Sequence, residues 1–321
     1  MSQPTQPNSP KVSLWIPCIA AILAIGLAAL NPEFAKKPIS ALFEVVGSAA
    51  LEYLMYGIGA FVIFWIGLHV WLKRKQLSRT RWPSFDQVKR ELVFSLCAQF
   101  IMLGVGIWLT LGNDEAVGNY YADVGQHGLL YFVLFTFLLF VVDDTAFYWT
   151  HRAMHHPMLY KAFHRVHHES QDPTPFTTYS FHPLEAVALS VSALATMPLL
   201  VLLPWHPMAF VIFGLGNIGF NVIGHLGYEI YPRNWNRISI LRWKTPAMHH
   251  YLHHQMFRGN YGLYFRWWDK ICGTEIKSFE ARYDALFAQR AMGTLPELKT
   301  TSAPAPQTTP TNPSNKGVTL S

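Results

Sequence analysis

The stretch that decides the fold is GLLYFVLFTFLLFVV, Gly128 to Val142, which runs without a break into DDTAFYWTHRAMHHPMLYKAFHRVHHES, Asp143 to Ser170. The first part is apolar throughout, with the composition of a helix that faces hydrocarbon. The second carries six histidines among Phe, Tyr, Trp and Leu. A membrane-type helix thus feeds directly into an imidazole-rich segment, and the rest of the chain repeats that pairing.

Five further apolar runs flank this one. Ser13 to Leu30 has 18 residues and no charge, and Ala49 to Leu72 carries only Glu52 and His69. Leu92 to Leu111, Ala186 to Leu203 and Pro207 to Gly224 complete the set, the last two joined through Pro204, Trp205 and His206 as a tight hairpin. One short run alone reads equally well as a buried core helix; six on one chain predict a polytopic all-α bundle of about four to six spans. Composition agrees: 51% of the 321 residues are apolar, 14% are charged, and mean hydropathy is +0.17. Disordered, collagen-like and disulfide-stapled classes are excluded. The three cysteines, Cys18, Cys97 and Cys272, are far apart and form no CxxC pair, so neither a disulfide framework nor a thiolate zinc site is expected. Residues 1–12 and 298–321, rich in Pro, Ser and Thr, read as disordered ends around a membrane domain of residues 13–297. The first run reads as a signal anchor rather than a cleaved leader.

The net charge of +6 is concentrated in the loops. Residues 73–90 hold seven Lys/Arg, whereas 112–127 hold none. The positive-inside rule then places 73–90 in the cytoplasm, and counting spans forward places 143–185 and everything after 225 there too. Both histidine windows fall on one face, as a cytoplasmic helical cap. The basic excess is a topology signal and not a nucleic-acid footprint. The expected location is an inner membrane in a bacterium or the endoplasmic reticulum in a eukaryote.

Ten of the 15 histidines lie in two windows, and their spacing is helical. His151 and His155 stand at i, i+4. His164, His167 and His168 stand at i, i+3, i+4, and so do His250, His253 and His254. Such spacing stacks imidazoles on one helix face. His69, His127 and His206 stand alone and read as ordinary satisfied or surface residues. Three clusters beside a bilayer, where unpaired polar groups are costly, read as metal ligands. Imidazole suits Zn, Cu, Fe and Ni alike, so ligand type does not choose the metal. GLGNIG, Gly214 to Gly219, satisfies a nucleotide-binding pattern but lies inside an apolar run, where small-residue helix packing explains it better. His168–Glu169 begins like a zincin motif, but Asp172 occupies the second histidine position.

HRAMHH, FHRVHH and HHYLHH resemble the three histidine boxes of the membrane-bound fatty acid hydroxylase/sterol desaturase superfamily. Between and after them, LYKAFHRVHHESQDPTPFTTYSFHPLE, NVIGHLGYEIYP and GNYGLYFRWWDKICGTE resemble segments of sterol C-5 desaturases and C-4 methylsterol oxidases. The similarity covers Asp143 to Glu275. Members of the superfamily carry two iron ions held by histidines and use O₂ to hydroxylate or desaturate lipids, so the resemblance implies a diiron oxygenase. By motif position it implies ligand roles for His151, His155, His164, His167, His168, His225, His250, His253 and His254. His156, His249 and His182 are additional candidates. Tyr251 stands where methylsterol oxidases have Asp. Glu229 stands where fatty acid 2-hydroxylases have a second histidine, which disfavours that substrate class.

Asp144, Glu229 and Asn260 are expected to support the ligands from behind. Asp144, two turns before His151, either accepts a ligand N–H or is a carboxylate at the membrane surface; Glu169, Glu185 and Asp269 are comparable. Asn260, with Tyr261 and Gly262, closes the third box, and Trp267 and Trp268 fit an interfacial belt. No haem, flavin or iron–sulfur motif occurs, so electrons are expected from cytochrome b5, a ferredoxin or a reductase, and the substrate from the bilayer. Two other readings use the same imidazoles: a zinc-dependent membrane hydrolase or isomerase, and a metal transporter.

Overall fold

The computed structural model describes residues 13–32, 36, 51, 53–78, 82–110 and 119–291. The expected disordered ends, 1–12 and 298–321, lie outside them. Among the described residues the molecule is all-α, with β pairing confined to three isolated bridges. Four helical stretches are long and apolar enough to cross a membrane: Phe85–Trp108, Gly128–Met154, Pro183–Leu202 and Pro207–Gly224. The second apolar run is bent by 72° between Met55–Gly67 and His69–Lys75, giving a fifth span if the pair is one crossing. The six runs therefore yield four or five spans. The first, helix α1 (Trp15–Ala29), has 15 residues, short of the ~20 that a ~30 Å hydrocarbon layer requires.

Helix α2 (Phe85–Thr110) and helix α3 (Gly128–Met154) form the bundle with α1, α6 (Pro183–Ala193), α7 (Met197–Leu202) and α8 (Pro207–Gly224). Ala21, Ala98, Ile101, Met154, Ala186 and Leu189 pack at the centre where α1, α2, α3 and α6 meet. Phe135 and Leu139 of α3 pack on Leu200, Ala209 and Phe213. The outward faces are apolar, with Ile22, Leu129, Leu130, Val211 and Leu215 exposed, as hydrocarbon contact demands. Gly216 of the GLGNIG run lies where a Cβ would come within 2.5 Å of the Phe140 ring. That run is a close helix contact and not a nucleotide loop.

α3 does not stop where its apolar sequence stops. It continues for 27 residues to Met154, carrying His151 in its last turn. Short helices α4 (Pro157–Phe163) and α5 (Arg165–His168) follow, then α9 (Ala247–Met256), α10 (Trp267–Ile271) and α11 (Phe279–Ala291). Together they build the cap. One face of α9, with Ala247, Met248, Tyr251 and Leu252, packs on Phe279, Tyr283 and Leu286, which turns its histidines toward α3.

Three His-Pro pairs punctuate the chain. His156, His182 and His206 each accept a backbone N–H at Nδ1, from Met158, Leu184 and Met208, with Pro157, Pro183 and Pro207 at the first helical position. Each is an N-cap, satisfying one of the amides that a helix start leaves unpaired.

Glu91 of α2 joins bundle to cap. Fully buried, it accepts hydrogen bonds from Ser170 (2.7 Å), Thr174 (2.6 Å) and Gln87 (2.8 Å). Glu91→Ala leaves both buried hydroxyls without their acceptor, a loss of about 2 kcal/mol or more. The expected outcome is a lower unfolding temperature in detergent, with Glu91→Gln falling between Ala and wild type.

Candidate metal centre

The histidines of distant segments meet in two groups. His151, His155, His164, His168 and His253 each offer a ligand atom within 4.8 Å of the others, and His167, His225, His250 and His254 form a second such set. The spacing of the boxes explains the division. On α5 and its N-cap, His164 and His168 (i, i+4) face the first group while His167 faces the second. On α9 the assignment is reversed, with His250 and His254 in the second group and His253 in the first. His151 comes from the last turn of α3, and His225 from the residue that ends α8. The nine residues implied by the resemblance are the nine brought together.

Within each group the Nε2 atoms converge. His151 and His164 are 2.9 Å apart, His155 and His253 3.2 Å, and His155 and His168 3.2 Å. In the second group His225 lies 3.0 Å from His250 and 3.3 Å from His167, and His250 lies 3.2 Å from His254. Three rings have a fixed tautomer. Nδ1 of His151 bonds the Tyr261 carbonyl, that of His253 the Gly259 carbonyl, and that of His225 the Asn221 carbonyl. A carbonyl only accepts, so each Nδ1 carries the proton and each Nε2 presents a lone pair. Burial pushes the His225 imidazole down to about 4, and burial with a neighbouring His151 pushes His155 down to about 2, so both rings are neutral near pH 7.

Lone pairs turned inward at this separation fit a shared cation. Two nitrogens each bonded at about 2.1 Å to one ion, at 90–110° to each other, stand about 3.0–3.4 Å apart. The donor set is nitrogen only, unlike soluble diiron bundles that use Glu and Glu-x-x-His. Glu185 supplies the one carboxylate among the described residues that reaches a ring of either group, 2.5 Å from His164 Nδ1, with both side chains buried.

The remaining expected positions lie elsewhere. His156 and His182 are the N-caps described above, their Nδ1 atoms committed to backbone amides. His249 points to the opposite side of α9, where its Nε2 lies 3.8 Å from Asp269. Asp144 holds the closing loop instead of a ligand ring, accepting N–H bonds from Leu263, Tyr264 and Phe265 and from the Trp267 indole. Seven residues of helix separate it from His151 by about 10 Å, too far for contact. Glu229 accepts from the amides of Tyr231 and Met248, fixing the start of α9. Asn260, at φ 56°, braces the His249 carbonyl and the Ile276 amide. Trp267 and Trp268 donate to Asp144 and Thr145 of α3. Glu169 lies 3.8 Å from Arg90, and Asp269 binds the Tyr261 and Gly262 amides.

Comparison with known proteins bears on the same region. The sequence profile of the fatty acid hydroxylase family matches residues 136–274. The Delta(7)-sterol 5(6)-desaturase erg3C of Aspergillus fumigatus is 30% identical over 234 residues, 66% of this chain and 71% of that protein. The chain belongs to the fatty acid hydroxylase family. Rat lathosterol oxidase is 29% identical over 210 residues, 62% of this chain and 66% of its own length. Rat methylsterol monooxygenase 1 is 37% identical over 140 residues, 43% of this chain and 45% of its own. The family match therefore falls on the cap and the helices that carry it, and the chain spans just under two thirds of the lathosterol oxidase and less than half of the monooxygenase. No solved structure matches.

Sequence reasoning missed the three carbonyls that fix tautomers, because backbone acceptors leave no signature in residue types. It ranked Glu185 no higher than Glu169. Glu185→Leu should lower metal affinity about 10- to 100-fold, the usual effect of removing a ligand's outer partner, as measured by chelator competition. His225→Ala and His253→Ala should each reduce bound metal by about half, read by elemental analysis of purified protein.

Proposed function

We propose that this family member is a membrane-bound diiron oxygenase that hydroxylates or desaturates a C–H bond of a lipid, sterol-like or fatty-acyl, using O₂ and external electrons. The observation that carries the proposal is the convergence of nine imidazoles into two adjacent, nitrogen-only groups at the ends of membrane-length helices. Two iron ions held there would supply the reduction of O₂ and the oxidising power to take hydrogen from an unactivated C–H bond.

The protein's own residues have distinct tasks in this reading. His151, His155, His164, His168 and His253 would hold one ion, and His167, His225, His250 and His254 the other. The carbonyls of Tyr261, Gly259 and Asn221 keep the proton on Nδ1, so that Nε2 remains free to bind. Glu185 holds the Nδ1 side of His164. Phe147, Phe181 and Leu263, which line the cavity beside the histidines, keep bulk water from the centre. The electron donor is external, a cytochrome b5, a ferredoxin or a reductase. The lysine- and arginine-rich segment 73–90 supports a cytoplasmic position for the cap. Transport is disfavoured because the imidazoles gather at helix ends, not along a path through the bundle.

Anaerobic purification and metal analysis should find iron at about two per chain, with O₂ uptake dependent on a reductant. His167→Ala and His253→Ala should each abolish turnover while leaving membrane insertion unchanged. Zinc at full occupancy in active protein without O₂ uptake would overturn the proposal in favour of a hydrolase or isomerase. Orientation has its own check: Cys272 of the cap should react with a membrane-impermeant maleimide only when the cytoplasmic side is opened.

A further inference from the structure

A cavity of about 70 Å³ adjoins the one beside the histidines, and the two share Phe147, Phe181, Leu189, Asn221 and Leu263. Its lining includes Asp143 of α3, Asn217 and Asn221 of α8, and Ala193. Ala193 is exposed on the outer surface of α6, so the cavity runs from the lipid-facing side of the bundle toward the imidazoles.

The polar residues here are unusual for such a place. Asp143 and Asn221 are each 7% exposed within otherwise apolar helices. Asp143 Oδ2 accepts from the Tyr264 hydroxyl (2.7 Å) and the Asn217 amide (3.2 Å); Oδ1 has no partner among the described residues. The Asn221 side-chain amide likewise bonds no described residue, although its backbone carbonyl holds His225. A buried amide and a carboxylate oxygen without protein partners are costly in a membrane protein unless something else satisfies them. No Lys or Arg lines the cavity, so a carboxylate or phosphate would meet Asp143 with nothing to balance it. A hydroxyl, which both donates and accepts, suits an amide beside a carboxyl group.

We infer that Asp143, Asn217 and Asn221 form a subsite for the hydroxyl of a lipid alcohol, which sets the distance between that hydroxyl and the carbon oxidised. The distance follows from helix geometry. Asn221 stands four residues before His225 and Asp143 eight before His151, so the subsite lies about 6 to 12 Å below the imidazole layer at 1.5 Å per residue. The oxidised carbon is then several bonds removed from the hydroxyl. This inference rests on the oxygenase reading for its substrate role, but the subsite itself can be tested without turnover.

The test is native mass spectrometry of the purified full chain. The probes are two alcohol–hydrocarbon pairs, cholesterol with cholestane and hexadecan-1-ol with hexadecane, together with hexadecanoic acid. The wild type should capture one alcohol over its hydrocarbon by about ten-fold, the order of one buried hydrogen bond left unmade, and the pair that discriminates identifies a polycyclic or a linear substrate. The acid should bind no better than the hydrocarbon. Asn221→Leu removes a side chain with no partner among the described residues, so it leaves the fold intact; it and Asp143→Ala should bring the alcohol to within about two-fold of the hydrocarbon without changing hydrocarbon binding. Equal capture of alcohol and hydrocarbon by the wild type, a preference that persists in both variants, or an acid bound as tightly as the alcohol would overturn the inference. Iron content and O₂ uptake of the same samples separate the two ideas. Alcohol preference in protein without iron sinks the oxygenase and keeps the subsite; iron and O₂ uptake without preference do the reverse.

Discussion

Imidazole lone pairs facing one another across about 3 Å are the constraint on which the rest of this molecule depends. Neutral rings repel in that arrangement unless a proton or a cation lies between them, and at His151, His225 and His253 a backbone carbonyl already holds the only ring proton on the far nitrogen. Something must press the rings together, a cost that a bound cation would offset. The cap does so by packing: α9 is wedged between the histidines and the aromatic face of α11, and Glu229 pins its first turn. Asp144 clamps the loop whose Tyr261 carbonyl reaches His151. The acidic residues around the centre therefore act mainly on backbone, holding in place the helices and loops that carry the converged imidazoles.

That division of labour explains how far the sequence could be read. Hydropathy and the i, i+3, i+4 spacing were enough to place the spans, the cap and eight of the converging imidazoles, since both are periodic properties of residue type; His225, alone in its segment, came only from the family resemblance. What spacing could not convey was which of two groups each ring would join. The split depends on the 100° turn per residue, which sends His167 and His253 away from their box neighbours. The supporting carboxylates were harder still. Asp144 has the phase to face His151 but lies two turns distant along the axis, and only the folded loop reveals that it binds amides. Glu185, ordinary in its segment, reaches His164 because α6 packs against α4, which ends at that histidine.

His-Pro pairs were a legible signal that the motif reading passed over. Proline at a first helical position predicts a capping residue before it, and His156, His182 and His206 each fill that role. A histidine committed to a cap is a poor ligand, so the dipeptide separates capping from converging histidines within a single window. The bent second run and the 15-residue first helix show the opposite limit, where apolar length alone left the number of crossings open between four and six.

The interleaving of the boxes has a consequence for assembly. Because α5 and α9 each contribute to both groups, neither group can form around one hairpin while the other waits. Each also needs a residue from the end of a different bundle helix, α3 for one and α8 for the other. A chain with α5 or α9 misplaced would lose ligands from both groups at once, whereas loss of α3 or α8 would strip one. Full occupancy would then report that the whole helical scaffold had been laid down correctly, and half occupancy that a single bundle helix had strayed.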